Sequence, residues 1–359
     1  MAELRTMFLE DWAQPASRTA DALTAWIEAA TGSLWIAIYD FDVADPITAP
    51  IGRALEASAR RGVDVRVAFN RSESDAPSDP RPMTADPAAV DALDVPTRAV
   101  ADDRGLMHHK YVIRDGRDVW TGSTNWTPDA FTREENVILE LADVPDLAAA
   151  YAVNFERIWS HGRIDRSGAD GPSTTLEHGV RARLSFSPGP PWLSLDAARM
   201  IAGADRRLRI CSPVITSGAV LALLAEHADR RKLDLRGAFD RTQMEDVQRQ
   251  WRAVPHNRWK IAVWETIAPH LSGKISTPYA PGSVHDYMHA KLLVVDDEVM
   301  TGSFNFSRHG EGNAENVLRL QSEEVAIAFE AFAERVATRY ADASTTGRSE
   351  PSGSAAGQT

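Results

Sequence analysis

The sequence predicts an α/β protein of two similar halves, each a mixed β-sheet flanked by helices, related by a pseudo-two-fold axis with one site at the seam. Three observations carry this. The chain repeats itself: MHHKYVIRDGRDVWTGSTNWTPDAFTREENVILEL from Met107 returns as MHAKLLVVDDEVMTGSFNFSRHGEGNAENVLRL from Met288, and self-similarity on this scale marks a duplicated unit. The flanking segments recur in the same order: RRGVDVRVAFNR from Arg60 against RRKLDLRGAFDR from Arg230, SLWIAIYDFDV from Ser33 against RLRICSPVI from Arg207, and DLAAAYAVNFERIW against EVAIAFEAFAERV. Helical and strand-like periodicities alternate within each copy.

Thr19–Ala30 sets Ala22, Leu23, Trp26, Ile27 and Ala30 at helical spacing, and Leu34–Tyr39 is an apolar run of strand length. Ile51–Arg61 is helical in pattern and closed by Gly62, with VDVRVAF as the next strand. KYVIRDGRDVWTGS reads as a hairpin turning at Asp115-Gly116, and KLLVVDDEVMTGS as its counterpart with a turn one residue shorter. The expected division is a first half at 1–160, an exposed polar linker at 161–178, a second half at 179–341 and a disordered tail at 342–359 with almost nothing to bury.

A chain of 359 residues, 43% hydrophobic and 25% charged, can bury one large core or two ordinary ones, which excludes a disordered or fibrous protein. No apolar run reaches the roughly 18 to 20 residues of a membrane-spanning helix, and MAELRTMFLEDW has no basic segment followed by an apolar one; the expectation is a soluble, cytoplasmic protein. The only cysteine, Cys211, suits a reducing compartment and a buried position. With 39 Lys and Arg against 51 Asp and Glu, the net charge of -12 disfavours a general nucleic-acid binder.

The chemistry-bearing residues come in two matched sets: His108, Lys110, Asp115, Gly122, Ser123, Asn125 and Glu135-Asn136, against His289, Lys291, Asp296, Gly302, Ser303, Asn305 and Glu315-Asn316. Alternate residues of a strand share a face, so each His points with its Lys. Brought together, the two sets suit a phosphoryl group: cations and amides hold non-bridging oxygens, one imidazole attacks phosphorus and the other protonates the departing oxygen. One half alone lacks the acid that matches its nucleophile.

His-x-Lys, four residues, Asp, then Gly-Ser-x-Asn, found twice, resembles the signature of the phospholipase D superfamily, over nearly everything from about residue 5 to 341. The resemblance implies a two-step, metal-independent phosphodiesterase working through a covalent phosphohistidine, without a cofactor. It makes His108 the expected nucleophile and His289 the expected acid, with Lys110 and Lys291 beside them. It places a carboxylate behind each histidine, carried by the Glu-Asn match onto Glu135 and Glu315. Ser123, Asn125, Ser303 and Asn305 are the expected phosphate contacts. Asp115 and Asp296 are expected to organise turns, although the shorter second turn makes the match at Asp296 less direct.

Blander readings attach to other residues. His109 should face away from His108; His285, Asp286 and His289 have a metal-like spacing but lead into a strand, so no metal is expected. Trp26, Trp35 and Trp159 read as core, Trp126 and Phe306 as pocket walls, and Trp192 and Trp264 as weaker rim candidates. The pairs Arg60-Arg61 and Arg230-Arg231 read as helix-end cations. Ser72–Arg104 and Thr266–Tyr287 differ most between halves and read as loops shaping substrate access. The function expected is hydrolysis or transphosphatidylation of a phospholipid, at a membrane surface, by a monomer that carries both motifs. A nuclease using the same dyad is the runner-up, and a non-catalytic phosphate- or lipid-binding module the third reading.

Overall fold

The computed structural model describes residues 2–71, 86–190, 192–230, 233–280 and 282–341. The first half contains strands β1 (Glu3–Leu9), β2 (Ser33–Ile38), β3 (Asp64–Asn70), β4 (Thr97–Val100), β5 (Lys110–Arg114), β6 (Asp118–Gly122) and β7 (Asn136–Ala142). Its helices are α1 (Ala16–Glu28), α2 (Ala49–Arg60), α3 (Pro87–Asp91), α4 (Pro128–Thr132) and α5 (Pro145–His161). The second half contains β8 (Ala169–Thr175), β9 (Arg181–Ser187), β10 (Arg207–Ser212), β11 (Asp234–Asp240), β12 (Ser272–Lys274), β13 (Leu292–Val295), β14 (Glu298–Gly302) and β15 (Glu315–Gln321). Its helices are α6 (Leu193–Ala202), α7 (Gly218–Arg230), α8 (Arg241–Ala253), α9 (Arg258–Ile267) and α10 (Glu323–Arg339).

The two sheets have the same wiring. Strand order is β1-β7-β6-β5-β2-β3-β4 in one and β12-β11-β10-β13-β14-β15-β9-β8 in the other. Read from the other end and without β8, the second order is the first, strand for strand. Parallel pairing of β2 with β3 and β10 with β11 needs a helical crossover, and α2 and α7 supply it. The carboxyl ends of β1, β2, β3, β6, β9, β10, β11 and β14 therefore lie at the same end of their sheets as the amino ends of β5, β7, β13 and β15, where the His-Lys motifs begin.

Burial follows the duplication. One apolar cluster belongs to both halves: Tyr151, Phe155 and Ile158 of α5 join Phe329, Phe332 and Val336 of α10 over the inner faces of both sheets. Each such side chain contributes roughly 1.5–3 kcal/mol on burial, so the halves share a core rather than meeting at a polar interface. Two further clusters lie on the outer faces, one around Leu23, Ile27 and Leu55, the other around Ile201, Leu221 and Leu224. Trp26 is buried as expected, whereas Trp35 and Trp159 are half-buried; both stack on Phe155, and Arg66 lies over both indoles. Cys211 is buried. Arg61 caps α1 by donating to the Glu28 carbonyl at 2.9 Å; Arg231 of the matching pair lies outside the described residues.

Several boundaries differ from the expectation. Residues 161–178 are not wholly an exposed linker: Ile164 and Ser167 are buried, and β8 pairs with β9 as an edge strand. The two divergent segments each contribute the same element, β4 alongside β3 and β12 alongside β11, both parallel. Short polar-flanked edge strands give little periodic signal, which is why they read as loops. Residues 72–85 of the first divergent segment and the tail 342–359 lie outside the described residues.

Gly122 and Gly302 show why each motif contains glycine. They sit at φ of 145° and 150°, and a Cβ there would meet the Val137 and Asn316 carbonyl oxygens, each at 2.1 Å. Only a residue without a side chain lets β6 and β14 end that close to β7 and β15. Asp115 and Asp296 act at the opposite end. Asp115 accepts from the backbone N–H groups of Thr31, Gly32 and Ser33 at 2.6–3.1 Å, and Asp296 from those of Asp205, Arg206 and Arg207 at 2.9–3.1 Å. Both pin the hairpin turn to the start of β2 or β10, so the shorter second turn leaves this role intact.

Candidate active site

At the seam the backbones of the halves join directly. The His108 N–H donates to the Ala314 carbonyl at 2.9 Å and the Ala314 N–H to the Leu106 carbonyl at 2.8 Å, while Glu135 bridges Met288 in the mirror position. Each motif histidine thus lies beside the segment leading into the other half's β7 or β15. His108 Nδ1 is 2.8 Å from Glu315 Oε2. His289 Nδ1 is 3.1 Å from Asn136 Oδ1 and 3.2 Å from Glu134 Oε2. An acceptor facing Nδ1 keeps the ring proton there and leaves the Nε2 lone pair for chemistry.

This corrects the placement of Glu135. Its carboxylate accepts from Lys274 Nζ at 3.0 Å and from the Tyr340 hydroxyl, and takes no part behind His289. The physical reason is register. Gly122 pairs with Ile138 and Gly302 with Val317, so Asn136, not Glu135, stands where Glu315 does, and Glu134 stands opposite Asn313. The segment from Gly302 to Glu315 is one residue shorter than that from Gly122 to Asn136, so matching the letters Glu-Asn misaligns the strands. The polar pair is kept with its members exchanged: Asn136 Nδ2 donates to Glu134 at 3.0 Å, and Asn313 Nδ2 donates to Glu315 at 3.2 Å.

Ser123 and Ser303 are also corrected. Neither hydroxyl is exposed. Ser123 Oγ donates to Asn136 Oδ1 at 2.7 Å and accepts from the Val137 N–H; Ser303 Oγ donates to Glu315 Oε2 at 2.6 Å and accepts from the Asn316 N–H. They orient the group behind each histidine and are not turned towards a phosphate oxygen. Asn125 and Asn305 differ: the side-chain oxygen of each is buried with no partner among the described residues, so neither amide is tied down through its oxygen, and its N–H groups are the ones that can meet an anionic oxygen. Trp126 and Phe306 are 2% and 1% exposed and pack on Phe41 and Phe304. A ring without exposed surface cannot wall a pocket; both support the motif loops from within the cores. Trp264 is core as well, edge-on to Phe239, while Trp192 is exposed.

Lys110 and Lys291 are buried, and each ammonium donates back to the carbonyl of its own histidine, Lys110 to His108 at 2.8 Å and Lys291 to His289 at 2.5 Å. An ammonium has two further N–H groups to offer. Tyr39 stands edge-on to His108 with ring centroids 4.7 Å apart, and its face lies 4.6 Å from Lys110 Nζ. Burial lowers the Lys110 pKa to about 7, opposed by Glu315, Asp40 and Glu134. Burial, with the Lys110 charge, holds Lys291 well below its usual value. Both histidines are held well below 6.5, His108 by burial and then the two lysines, His289 likewise. Burial raises Glu315 to about 7 and Glu134 to about 8, against the lysine charges. Burial thus favours neutral imidazoles and weakens the lysine cations, and an anion held among them favours their protonated forms.

His109 faces away as expected, buried with Nδ1 3.2 Å from Asn316 Oδ1. His285 is buried too, and its backbone N–H donates to Asp129 at 2.8 Å; among the described residues no group of three potential ligands is arranged for a metal. Sequence reasoning missed Glu134, Asn313, Tyr39 and the pair Asn70 and Asp240, and it named Asn136 without its place behind His289. The last two accept the backbone N–H of the residue before each histidine, Met107 at 2.9 Å and Met288 at 3.1 Å. Their signal was available: AFN and AFD end the matched strands, each with a polar residue closing an apolar run.

A duplicated mixed sheet with a His-Lys pair from each half at its seam defines a phospholipase D-like chain. Residues 23–159 and 198–337 match the family described as "Cardiolipin synthase, PLD-like domain", and the chain belongs to that family. It is 36% identical over 112 residues to the mitochondrial cardiolipin hydrolase of Xenopus laevis, covering 30% of this chain and 48% of that protein. It is 32% identical over 134 residues to the human protein of the same name, covering 36% of this chain and 47% of that one. The chain thus spans about half the length of the curated relatives it matches. The phosphatidylserine synthase of Haemophilus influenzae Rd KW20 superposes with a TM-score of 0.63 at 12% identity, over 93% of this chain and 85% of that one. That likeness concerns the fold. No helix among the described residues is long and apolar enough to cross a membrane.

Proposed function

We propose that the chain is a phosphodiesterase of phospholipase D type, cleaving a phospholipid by hydrolysis or by transfer to an alcohol. The observation that carries the reading is the pair of imidazoles, each held through Nδ1 by a polar group of the opposite half. His108 Nε2 attacks phosphorus, forming a P–N bond as the P–O bond to the leaving alcohol breaks. The proton for that alcohol comes from His289, which acquires it when the anionic substrate binds. Water or an alcohol then loses its proton to His289 and attacks phosphorus, releasing His108. Lys110, Lys291 and the amides of Asn125 and Asn305 hold the non-bridging oxygens, where charge builds in each transition state.

His108 is the nucleophile in this reading because Glu315 opposes it directly at 2.8 Å. A carboxylate there stabilises the positive charge that the ring acquires on phosphorylation. His289, set mainly on an amide oxygen, takes up and gives back a proton more readily. The substrate class draws on the cardiolipin hydrolase relatives and on the net charge of -12, which disfavours a polyanionic nucleic acid. Both motifs lie on one chain, so the monomer is the catalytic unit.

The test incubates the protein and its His108→Ala and His289→Ala variants with phospholipid vesicles plus ethanol, and separately with DNA and RNA. Phosphatidic acid or phosphatidylethanol formed only by the unaltered protein supports the reading; cut nucleic acid with intact lipid refutes it. With an activated phosphodiester, His289→Ala should retain a phosphoryl group on His108, seen by peptide mass spectrometry under alkaline conditions.

A further inference from the structure

The site opens at the end of the sheets where β1, β9, β10 and β12 finish, and large apolar side chains stand exposed just beyond those ends. Trp12 is 63% exposed and follows β1, whose last residue, Leu9, pairs with Asn136. Trp192 is 48% exposed and follows β9, whose Ser187 pairs with Glu315. Ile275 is 63% exposed and follows Lys274, which holds Glu135. Trp259, 47% exposed, lies against Gly218, just past the Thr216 and Ser217 N–H groups that bind the Phe306 carbonyl behind Asn305. Each of these four stands beyond a strand end, or against the chain just after one, on the side of the sheets where the motifs begin, and they come from both halves.

We infer that Trp12, Trp192, Trp259 and Ile275 form a rim that seats the mouth of the site on a phospholipid bilayer. The inference rests on the phospholipid reading above and adds where and how the enzyme meets its substrate. Val153 and Ile327, within α5 and α10, are exposed as single side chains; it is the gathering of the others, with Ile47 and Leu195, past the strand ends on the site's side that marks an interaction surface, and three features select a bilayer over a protein. Indoles with a neighbouring cation suit the headgroup zone, and here Arg133 lies 4.7 Å over Trp12 and Lys260 lies 5.9 Å from Trp259. The anchors are separate tips, Trp259 in the first turn of α9 and the others between elements, which a deformable surface can take one by one, whereas a rigid partner needs a continuous complementary face. A second copy seated on the rim would close the mouth, whereas a bilayer brings the phosphodiester to it. Since the chain carries -12 overall, adhesion depends on the apolar tips rather than on attraction to anionic lipid.

The full chain is compared with the variant Trp12→Asn, Trp192→Ser, Trp259→Ser, Ile275→Ser. Asparagine is chosen at 12 because φ is 55° there. Two readouts are taken: co-sedimentation with phosphatidylcholine vesicles, with and without cardiolipin, at low and high salt; and turnover of a short-chain phosphatidylcholine kept monomeric. The expected result is vesicle binding by the unaltered protein that persists in high salt and falls at least about a hundredfold in the variant. Turnover of the monomeric lipid and the Tm should stay unchanged. A variant that sediments like its parent, or a parent that ignores vesicles, overturns the inference. So does a parent that light scattering shows to be a dimer and the variant a monomer. If the parent binds vesicles through the rim yet turns over no lipid, the surface stands and the substrate reading fails.

Discussion

Replacing Glu315 by glutamine keeps the side-chain volume and one oxygen, which can stay with Ser303 at 2.6 Å while the new amide N–H group faces Asn313, whose Nδ2 lies 3.2 Å from the other oxygen and must turn its own amide over. What it removes, in an assay run above the Glu315 value of about 7, is the negative charge 2.8 Å from His108 Nδ1. A charge pair about 4 Å apart, centre to centre, at an effective dielectric of about 20 is worth about 4 kcal/mol. That is about a thousandfold in kcat, with KM little changed because the imidazolium-like charge exists only beyond the ground state. Glu134→Gln should cost less, at most about a hundredfold, since Glu134 is 3.2 Å from His289, shares it with the Asn136 amide, and with a value of about 8 carries only part of its charge near neutral pH. Glu135→Gln should leave kcat and its pH dependence intact and lower Tm, because Glu135 serves Lys274 and Tyr340. The three variants are assayed side by side on one phosphodiester. If Glu135→Gln falls as far as Glu315→Gln while Glu134→Gln stays near the parent, the register argued from the strand pairing is refuted.

Three further outcomes are expected. For kcat/KM, the alkaline limb should fall near pH 7, because the Lys110 cation is lost as pH rises through its value of about 7; the acid limb should also begin near pH 7, because Glu315 loses the charge behind His108 as pH falls through its value of about 7, and His108 itself is protonated only well below 6.5. A profile flat from pH 5 to pH 9 would count against both assignments. Binding of inorganic phosphate near neutral pH should take up protons, which calorimetry in buffers of different ionisation enthalpy reads directly; no uptake would mean the imidazoles and lysines are already charged. Asp115→Ala strips the acceptor from three backbone N–H groups and should cost about 2 kcal/mol of stability by denaturant titration with kcat preserved; a loss of kcat at unchanged stability would move Asp115 into the site.

The duplication, the order of strands and helices, and the two His-Lys pairs are legible in the sequence because they depend on periodicity and repeated letters. The hairpin strands differ from their expected bounds by at most a residue or so, as at β5, Lys110–Arg114, and β13, Leu292–Val295. What is not legible depends on through-space register. The Glu-Asn match points to Glu135, yet a one-residue difference in an irregular segment moves it off the position behind His289 and installs Asn136. The serines of Gly-Ser read as phosphate ligands because a hydroxyl's partners are not written in a linear motif. Trp126 and Phe306 directly follow Asn125 and Asn305, and that adjacency alone makes them pocket candidates; their burial is a property of the packed loops, which letters do not record.

The exchange of glutamate and asparagine between the halves bears on why a duplicated chain has one site rather than two. Two identical halves would give each histidine the same neighbour and the same basicity, and neither would be set apart as nucleophile or acid. Here Glu315 lies directly behind His108, while Asn136 lies nearest His289 with Glu134 beside it. Each half keeps one glutamate and one asparagine two residues apart on the strand entering the seam, so buried charge is conserved while its position is not. Exchanging them again should therefore exchange the roles. A chain with Glu134→Asn, Asn136→Glu, Asn313→Glu and Glu315→Asn keeps the composition of the seam and sets the carboxylate directly behind His289. In that chain a phosphoryl group trapped from an activated phosphodiester should appear on His289. If it stays on His108, the choice of nucleophile comes from the approach of the substrate and not from the groups behind the imidazoles.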